Sequence, residues 1–330
     1  MSTLAICWLR RDLRLHDQAA LYHALKSGLP VLPVFIFDRN ILDELKDPAD
    51  ARVTFLHDQI TALQGQLQAL GSGLRVYYGT PADIWPQILQ ELPVGAVYTN
   101  RDYEPYALQR DQAVSELLRR HNIPLHIYKD HVIFEKEEVL KDDGHPYTVF
   151  TPYSRKWRAK LISKGEAVAD SFYFKSYPNE AYFQHFWQQQ QSAPITLEAM
   201  GFRRSATAIP PMEVPRKIIK HYDETRNFPA DEDGTSRLGI HFRFGTISIR
   251  EKARAASQLN ETYLNELIWR DFYAQILAHF PHVATQSFRP EYDKIAWRND
   301  ETEFKRWCEG TTGYPMVDAG MRQLNATGYM

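Results

Sequence analysis

Five short apolar runs alternate with longer stretches of helical periodicity in the first 130 residues, and no other feature restricts the fold as much. The runs are LAICWL (4–9), VLPVFIF (31–37), LRVYY (74–78), AVYT (96–99) and LHIY (125–128). Helical stretches lie between them, from Asp17 to Ser27, Val53 to Leu70, Ala82 to Leu92 and Tyr106 to His121. Strands separated by helices at this spacing predict a parallel sheet with helices packed on its faces. Ligands of such sheets sit beyond the carboxyl ends of the strands. No G-x-G-x-x-G follows the first run and no P-loop occurs, which argues against a standard dinucleotide or nucleoside-triphosphate site.

The segments after the first and fourth strands therefore matter most. RRDLRLHDQAAL (10–21) places Asp17 where it can cap the following helix, and its Arg and Asp residues can pair across the loop. NRDYEPYALQRD (100–111) is either a helix start with Pro105 in its first turn or part of a ligand site. From Asp130 to about Gly201 the alternation stops and Pro, Gly, Gln and charged residues become frequent, which predicts a long connector with an exposed run at Gln188–Gln191.

In the second half, the stretch Asn265–Phe280, NELIWRDFYAQILAHF, is apolar nearly all round when placed on a helix, which predicts burial. Leu264, Ile268 and Phe272 fall on one side; Trp269, Tyr273, Ile276 and Phe280 fall on the other, together with Glu266. A buried carboxylate needs a partner or a proton. Either Glu266 pairs with Arg270 one turn on and Trp269 is ordinary core, or a carboxyl beside a flat ring lines a pocket for a flat, polar-edged ligand. Thr235, Ser236 and Arg237, following Gly234, form either a capped turn or a cradle for a pyrophosphate. Arg243, Arg250, Lys252 and Arg254 are either a solvated helix face or a local patch for phosphates.

Charge and cysteine usage narrow the classes further. Net charge is −2, with 13 Lys+Arg against 15 Asp+Glu up to Asp130 and 26 against 26 afterwards, so nucleic-acid binding has to rest on a local patch. Cys7 and Cys308 lie far apart, which indicates neither a disulfide framework nor a thiolate metal site and places the chain in the cytoplasm. No run approaches the roughly 20 apolar residues of a membrane span.

RRDLRLHDQAAL closely resembles the amino-terminal signature R-x-D-L-R-x-H-D-x-x-A-L of the photolyase and cryptochrome family. Further motifs follow in the family's order. NRDYEPYALQRD resembles its antenna-pocket stretch, with Ala107 where members using a folate antenna commonly have a carboxylate; the E-P-Y spelling is closer to members that bind a deazaflavin or another flavin, or nothing. GHPYTVFTPYSRKW (144–157) resembles F-T-P-[FY]-x-x-x-W, without an assigned chemistry. Thr235 to Gly239 resembles the flavin-phosphate stretch T-S-x-L-S, with Gly in the last place, and Tyr222 resembles the tyrosine set against the flavin. NELIWRDFY (265–273) is spelled as in photolyases that repair cyclobutane pyrimidine dimers, most like class I, and WCEGTTGYPMVDAGMRQL (307–324) matches the family's W-x-x-G-x-T-G-x-P-x-V-D-A-x-M-R-Q-L run.

The resemblance implies an α/β parallel-sheet (Rossmann-like) antenna domain over 1–130, a connector over 131–200, and the front part of an all-α flavin domain over 201–330. Family members continue past the last motif, so the flavin domain is expected to be incomplete, with the final residues in mid-helix. Tyr222, Thr235, Ser236, Arg237, Leu238 and Arg270 are then expected to hold FAD, and Glu266, Trp269, Arg270 and Tyr273 to contact DNA. By the same resemblance Glu266 hydrogen-bonds the carbonyl edge of a flipped-out dimer, Trp269 stacks on it, and Trp307 is the outer tryptophan of a photoreduction relay. The implied activity is light-driven splitting of cyclobutane dimers by reduced FAD, in a monomer whose partner is damaged DNA. Rival readings are a cryptochrome-type photoreceptor, a six-four photolyase and an inactive fragment; the Glu266 and Trp269 spelling argues against the first two.

Overall fold

The computed structural model describes residues 3–162, 167–189 and 193–329. Its first part runs β1 (Leu4–Leu9), α1 (Ala19–Leu25), β2 (Val31–Asp38), α2 (Arg39–Leu42), α3 (Ala51–Ala69), β3 (Arg75–Gly79), α4 (Pro81–Glu91), β4 (Val94–Asn100), α5 (Pro105–Arg120) and β5 (Leu125–Tyr128). The strands pair in parallel in the order β3-β2-β1-β4-β5. Strand order reverses at β1, so the crevice beyond the carboxyl ends of β1 and β4 is where such a sheet takes a ligand. Alternate β1 residues face opposite sides. Ala5, Cys7 and Leu9 join a core with Leu21 of α1 and Leu63 of α3, whereas Leu4, Ile6 and Trp8 pack against Trp85 and Ile88 of α4.

The second part is helical: α6 (Phe150–Leu161), α7 (Arg216–Lys220), α8 (Tyr222–Thr225), α9 (Gly239–Phe244), α10 (Ile249–Leu259), α11 (Glu261–His279), α12 (Glu301–Glu309) and α13 (Pro315–Thr327). The stretch expected to be a connector packs against both parts. Its Tyr153, Trp157 and Leu161 join the core of α10 and α11, while Phe186, Leu197 and Met200 return to the sheet's core. Trp187 N–H donates to Val31 O at 2.8 Å. In the Gln run, Gln188 is exposed, and Gln190 and Gln191 lie outside the described residues. The expectation of a final mid-helix segment does not hold, because α13 closes at Thr327 with Gly328 at φ 77°, its N–H bonded to Leu324 O at 2.8 Å.

Residues 10–17 form the seam between the two parts. Asp17 does not cap α1. Its φ is 42°, and its carboxylate accepts from Ser248 Oγ, from Arg250 Nε at 2.9 Å and from Tyr177 N at 2.8 Å. Gln18 takes the capping role instead, accepting from Leu21 N. Asp130 accepts from Arg14 at 2.7 Å and from Arg250 at 2.8 Å. Burial pushes the Asp130 carboxyl up, but the two guanidiniums overcome it and hold it well below the usual carboxylate range. Gly245 closes the seam from the other side: at φ 59° a Cβ there would come within 2.1 Å of Arg11 O.

Helix α11 departs from the expectation of burial all round. Leu264, Leu267, Ile268 and Phe272 are buried, but Glu266 and Trp269 are half-buried and Tyr273 is 62% exposed. Tyrosine and tryptophan each carry a polar group, so an aromatic stripe at helical spacing does not by itself mean core.

Candidate functional site

Asn260 starts α11 by accepting from Tyr263 N at 3.0 Å, which fixes the outward face one turn later. Glu266 lies on that face and its partner is Arg226, from the segment after α8, rather than Arg270. Arg270 turns inward, donating to the backbone oxygens of His131 and of Phe242, the latter at 3.3 Å, so the expectation that it serves a cofactor or DNA is not met by its geometry. Two rings stack on Trp269: Phe150 at 3.5 Å between centroids and 4°, and Tyr273 at 5.5 Å and 23°. Glu266 and Trp269 line none of the principal cavities among the described residues, so the pocket expected beside them is not seen.

The inner end of the same helix meets the Thr235–Arg237 stretch. Tyr263 Oη donates to Ser236 Oγ at 3.0 Å, and burial pushes the Tyr263 hydroxyl up to about 12, so it remains a donor at neutral pH. Tyr222 sets its ring edge-on against Tyr263 at 5.1 Å. Thr225 Oγ1 donates to Gly234 O at 2.9 Å and pins the turn before the stretch. Thr235, Ser236 and Arg237 wall a cavity with Pro210, Pro211 and Tyr329. Arg237 has φ 51°, its guanidinium lies 4.9 Å over the Tyr329 ring, and its Nε is buried without a hydrogen-bond acceptor among the described residues. An orphaned cationic donor beside two hydroxyls is satisfied by an anion. The donor set therefore fits the pyrophosphate of a flavin dinucleotide. Leu238, next in sequence, is buried.

A second cavity, of about 240 Å³, occupies the crevice beyond β1 and β4. Trp8, Phe35, Ala107 and Phe244 give it an apolar lining. The guanidiniums of Arg10 and Arg110 lie 4.7 and 5.1 Å over the Trp8 ring. Tyr106 Oη donates to Asp38 at 2.5 Å, and burial pushes the Asp38 carboxyl up. Arg243 reaches across from α9 to Glu104, which also accepts from Arg11 at 3.0 Å. The guanidiniums of Arg10 and Arg110 are both paired to Asp111, and Asp38, Asp102 and Glu104 also line the cavity, so the site suits a flat aromatic molecule with polar edges.

The basic residues expected as either a solvated face or a phosphate patch divide otherwise: Arg250 is buried in the seam and Arg243 is paired to Glu104, while Lys252 and Arg254 are half-buried. Trp307 is 46% exposed on α12, stacked on Phe304 at 5.8 Å. Arg226, Phe150 and Asp271 are contacts that sequence reasoning missed. Only the F-T-P match pointed toward Phe150; nothing in the sequence links residues 226 and 266.

The model for DNA photolyase matches residues 5–170, and that for the FAD binding domain of DNA photolyase matches residues 263–330. The deoxyribodipyrimidine photo-lyase of Synechococcus sp. is 34% identical over 100% of this chain and 72% of its own length. Among solved structures, the bacterial class III photolyase from Agrobacterium tumefaciens superposes with a TM-score of 0.81 at 27% identity, covering 100% of this chain and 70% of that one. The archaeal photolyase from Sulfolobus tokodaii, solved with two FAD molecules, gives 0.76 at 28% identity, covering 99% of this chain and 72% of that one.

Proposed function

We propose, because this chain belongs to the DNA photolyase family, that it is a deoxyribodipyrimidine photo-lyase, splitting cyclobutane pyrimidine dimers in DNA with light. One observation carries the reading: α11 links the anion cradle, through Tyr263 and Ser236 at 3.0 Å, to the wall formed by Glu266 and Trp269 further along the same helix. A cofactor held at one end of a rigid element and a lesion received further along it are thereby kept in fixed relation.

In this reading Thr235, Ser236 and Arg237 hold the phosphates of FAD, with Tyr222 beside it. The chemistry that the reduced flavin supplies when bound is light-driven electron donation, the electron returning once the two cyclobutane C–C bonds have opened. The chain's own residues bind and orient. A dimer turned out of the duplex places a ring against Trp269, whose stacking replaces part of what the base loses. Because Glu266 is paired with Arg226, its carboxylate accepts from a ring N–H while the guanidinium donates to a carbonyl oxygen, so the pair reads both groups of a pyrimidine edge.

The crevice between the two parts is proposed to hold a second, light-collecting chromophore. Ala107 lines it and brings no carboxylate there, which favours a flavin or deazaflavin over a folate. Among the described residues no helix is long and apolar enough to cross a membrane. We assign damaged DNA as the partner, the cytoplasm as the location and a monomer as the working form. Purified protein should absorb in the flavin bands and, after reduction, convert thymine dimers in an oligonucleotide to thymines under blue light and not in the dark. Flavin retention without any repair would contradict the reading and favour a photoreceptor.

A further inference from the structure

The F-T-P motif at the start of α6 carries a ring with no assigned role, Phe150, and this ring touches the lesion wall. At about 100° per residue, Asn265 and Phe272 lie on one flank of Trp269 while Glu266 and Tyr273 lie on the other. Helix α6 runs along the first flank: Arg158 reaches Asn265 at 3.5 Å, and Phe150 and Tyr153 meet Phe272 at 5.8 and 5.1 Å. Phe150 therefore covers the indole face turned away from Glu266. Parallel rings favour an offset. A centroid separation of 3.5 Å at 4° is nearly eclipsed, so the scaffold rather than mutual attraction sets this contact.

That scaffold is firmly held. Tyr153 and Trp157 are buried, and Trp157 Nε1 donates to Asp271 Oδ2 at 3.0 Å on α11 itself. Tyr273, on the flank of Glu266, stacks on the indole at 5.5 Å and is 62% exposed, so a change of its side-chain rotamer can uncover the indole on that flank. We propose that Phe150 is a positioning residue: it backs Trp269 so that the indole offers a flipped pyrimidine only the face next to Glu266, with Tyr273 as the cover that moves aside. This inference rests on the repair reading above.

The test compares wild type with Phe150→Leu and Phe150→Tyr, in the dark, for affinity toward one duplex with a thymine dimer and the same duplex undamaged, alongside the melting temperature. Leucine keeps the site apolar and lets α6 fold; tyrosine keeps the flat ring. Phe150→Leu should lose roughly threefold to tenfold of its preference for the dimer, part of the worth of one stacked base. Its affinity for undamaged duplex and its melting temperature should stay at the wild-type values, and Phe150→Tyr should retain the preference. If Phe150→Leu matches wild type, weakens both duplexes equally, or is matched in its loss by Phe150→Tyr, the positioning role is overturned while the repair reading stands. A wild-type chain without dimer preference overturns both.

Discussion

Replacing Asp271 with Asn should stabilise the protein at neutral pH and change it little in acid. Asp271 is buried on α11 and accepts from Ile133 N at 3.1 Å, Phe134 N at 3.2 Å and Trp157 Nε1 at 3.0 Å, pinning the connector and α6 to the helix that carries Glu266 and Trp269. Desolvation raises its carboxyl from 3.8 to about 6, and the Trp157 bond, Arg270 and the two backbone N–H groups offset only part of that. At about 1.4 kcal/mol per pH unit, the displacement is worth about 3 kcal/mol. The folded value lies above the unfolded one, so this contribution is intact below about pH 4 and is lost as pH rises through about 6. Asn keeps an acceptor oxygen without a charge to desolvate. The unfolding free energy of Asp271→Asn minus that of wild type should therefore climb by about 3 kcal/mol between pH 3 and pH 7.5. Urea titrations of both proteins across that range measure it, because titrations elsewhere cancel in the difference. A difference that stays flat with pH, or an Asn variant less stable than wild type at pH 7.5, would refute the reasoning.

Two further perturbations probe the seam and the cradle. Arg250→Met leaves the buried carboxylates of Asp17 and Asp130 short of a guanidinium, and should cost about 3–5 kcal/mol in chemical denaturation; a loss below about 1 kcal/mol would mean that water reaches the seam. Ser236→Ala removes the acceptor of Tyr263 and one hydroxyl of the cradle, so flavin affinity should fall by roughly threefold to tenfold in a fluorescence titration, the worth of one hydrogen bond. Unchanged retention would place the phosphates elsewhere.

The sheet was legible because its signal is periodic and local. Each apolar run became a strand, with β1 and β5 at the expected bounds, and the helices between them shifted by a residue or two. Roles set by partners distant in sequence were not legible. Asp17 looks like a helix cap in its own segment, yet Ser248 and Arg250 claim its carboxylate. Glu266 has a well-spaced cation at Arg270, but that guanidinium is drawn inward by carbonyl oxygens and Arg226 arrives instead. The hydrophobic pattern of α11 misled for a related reason: Trp269 and Tyr273 count as apolar, although their rings stand on the outer side of the helix. The motifs are ordered along the chain as in the family, but only the fold decides which of those residues meet.

Affinity for a dimer-containing duplex in wild type and Trp269→Ala tests the lesion wall most directly. Wild type should favour that duplex over an undamaged one, and the alanine variant should lose roughly 5- to 150-fold on the damaged duplex alone, the range for one stacked base. Equal binding of the damaged duplex by both proteins would mean that the indole of Trp269 does not receive the lesion.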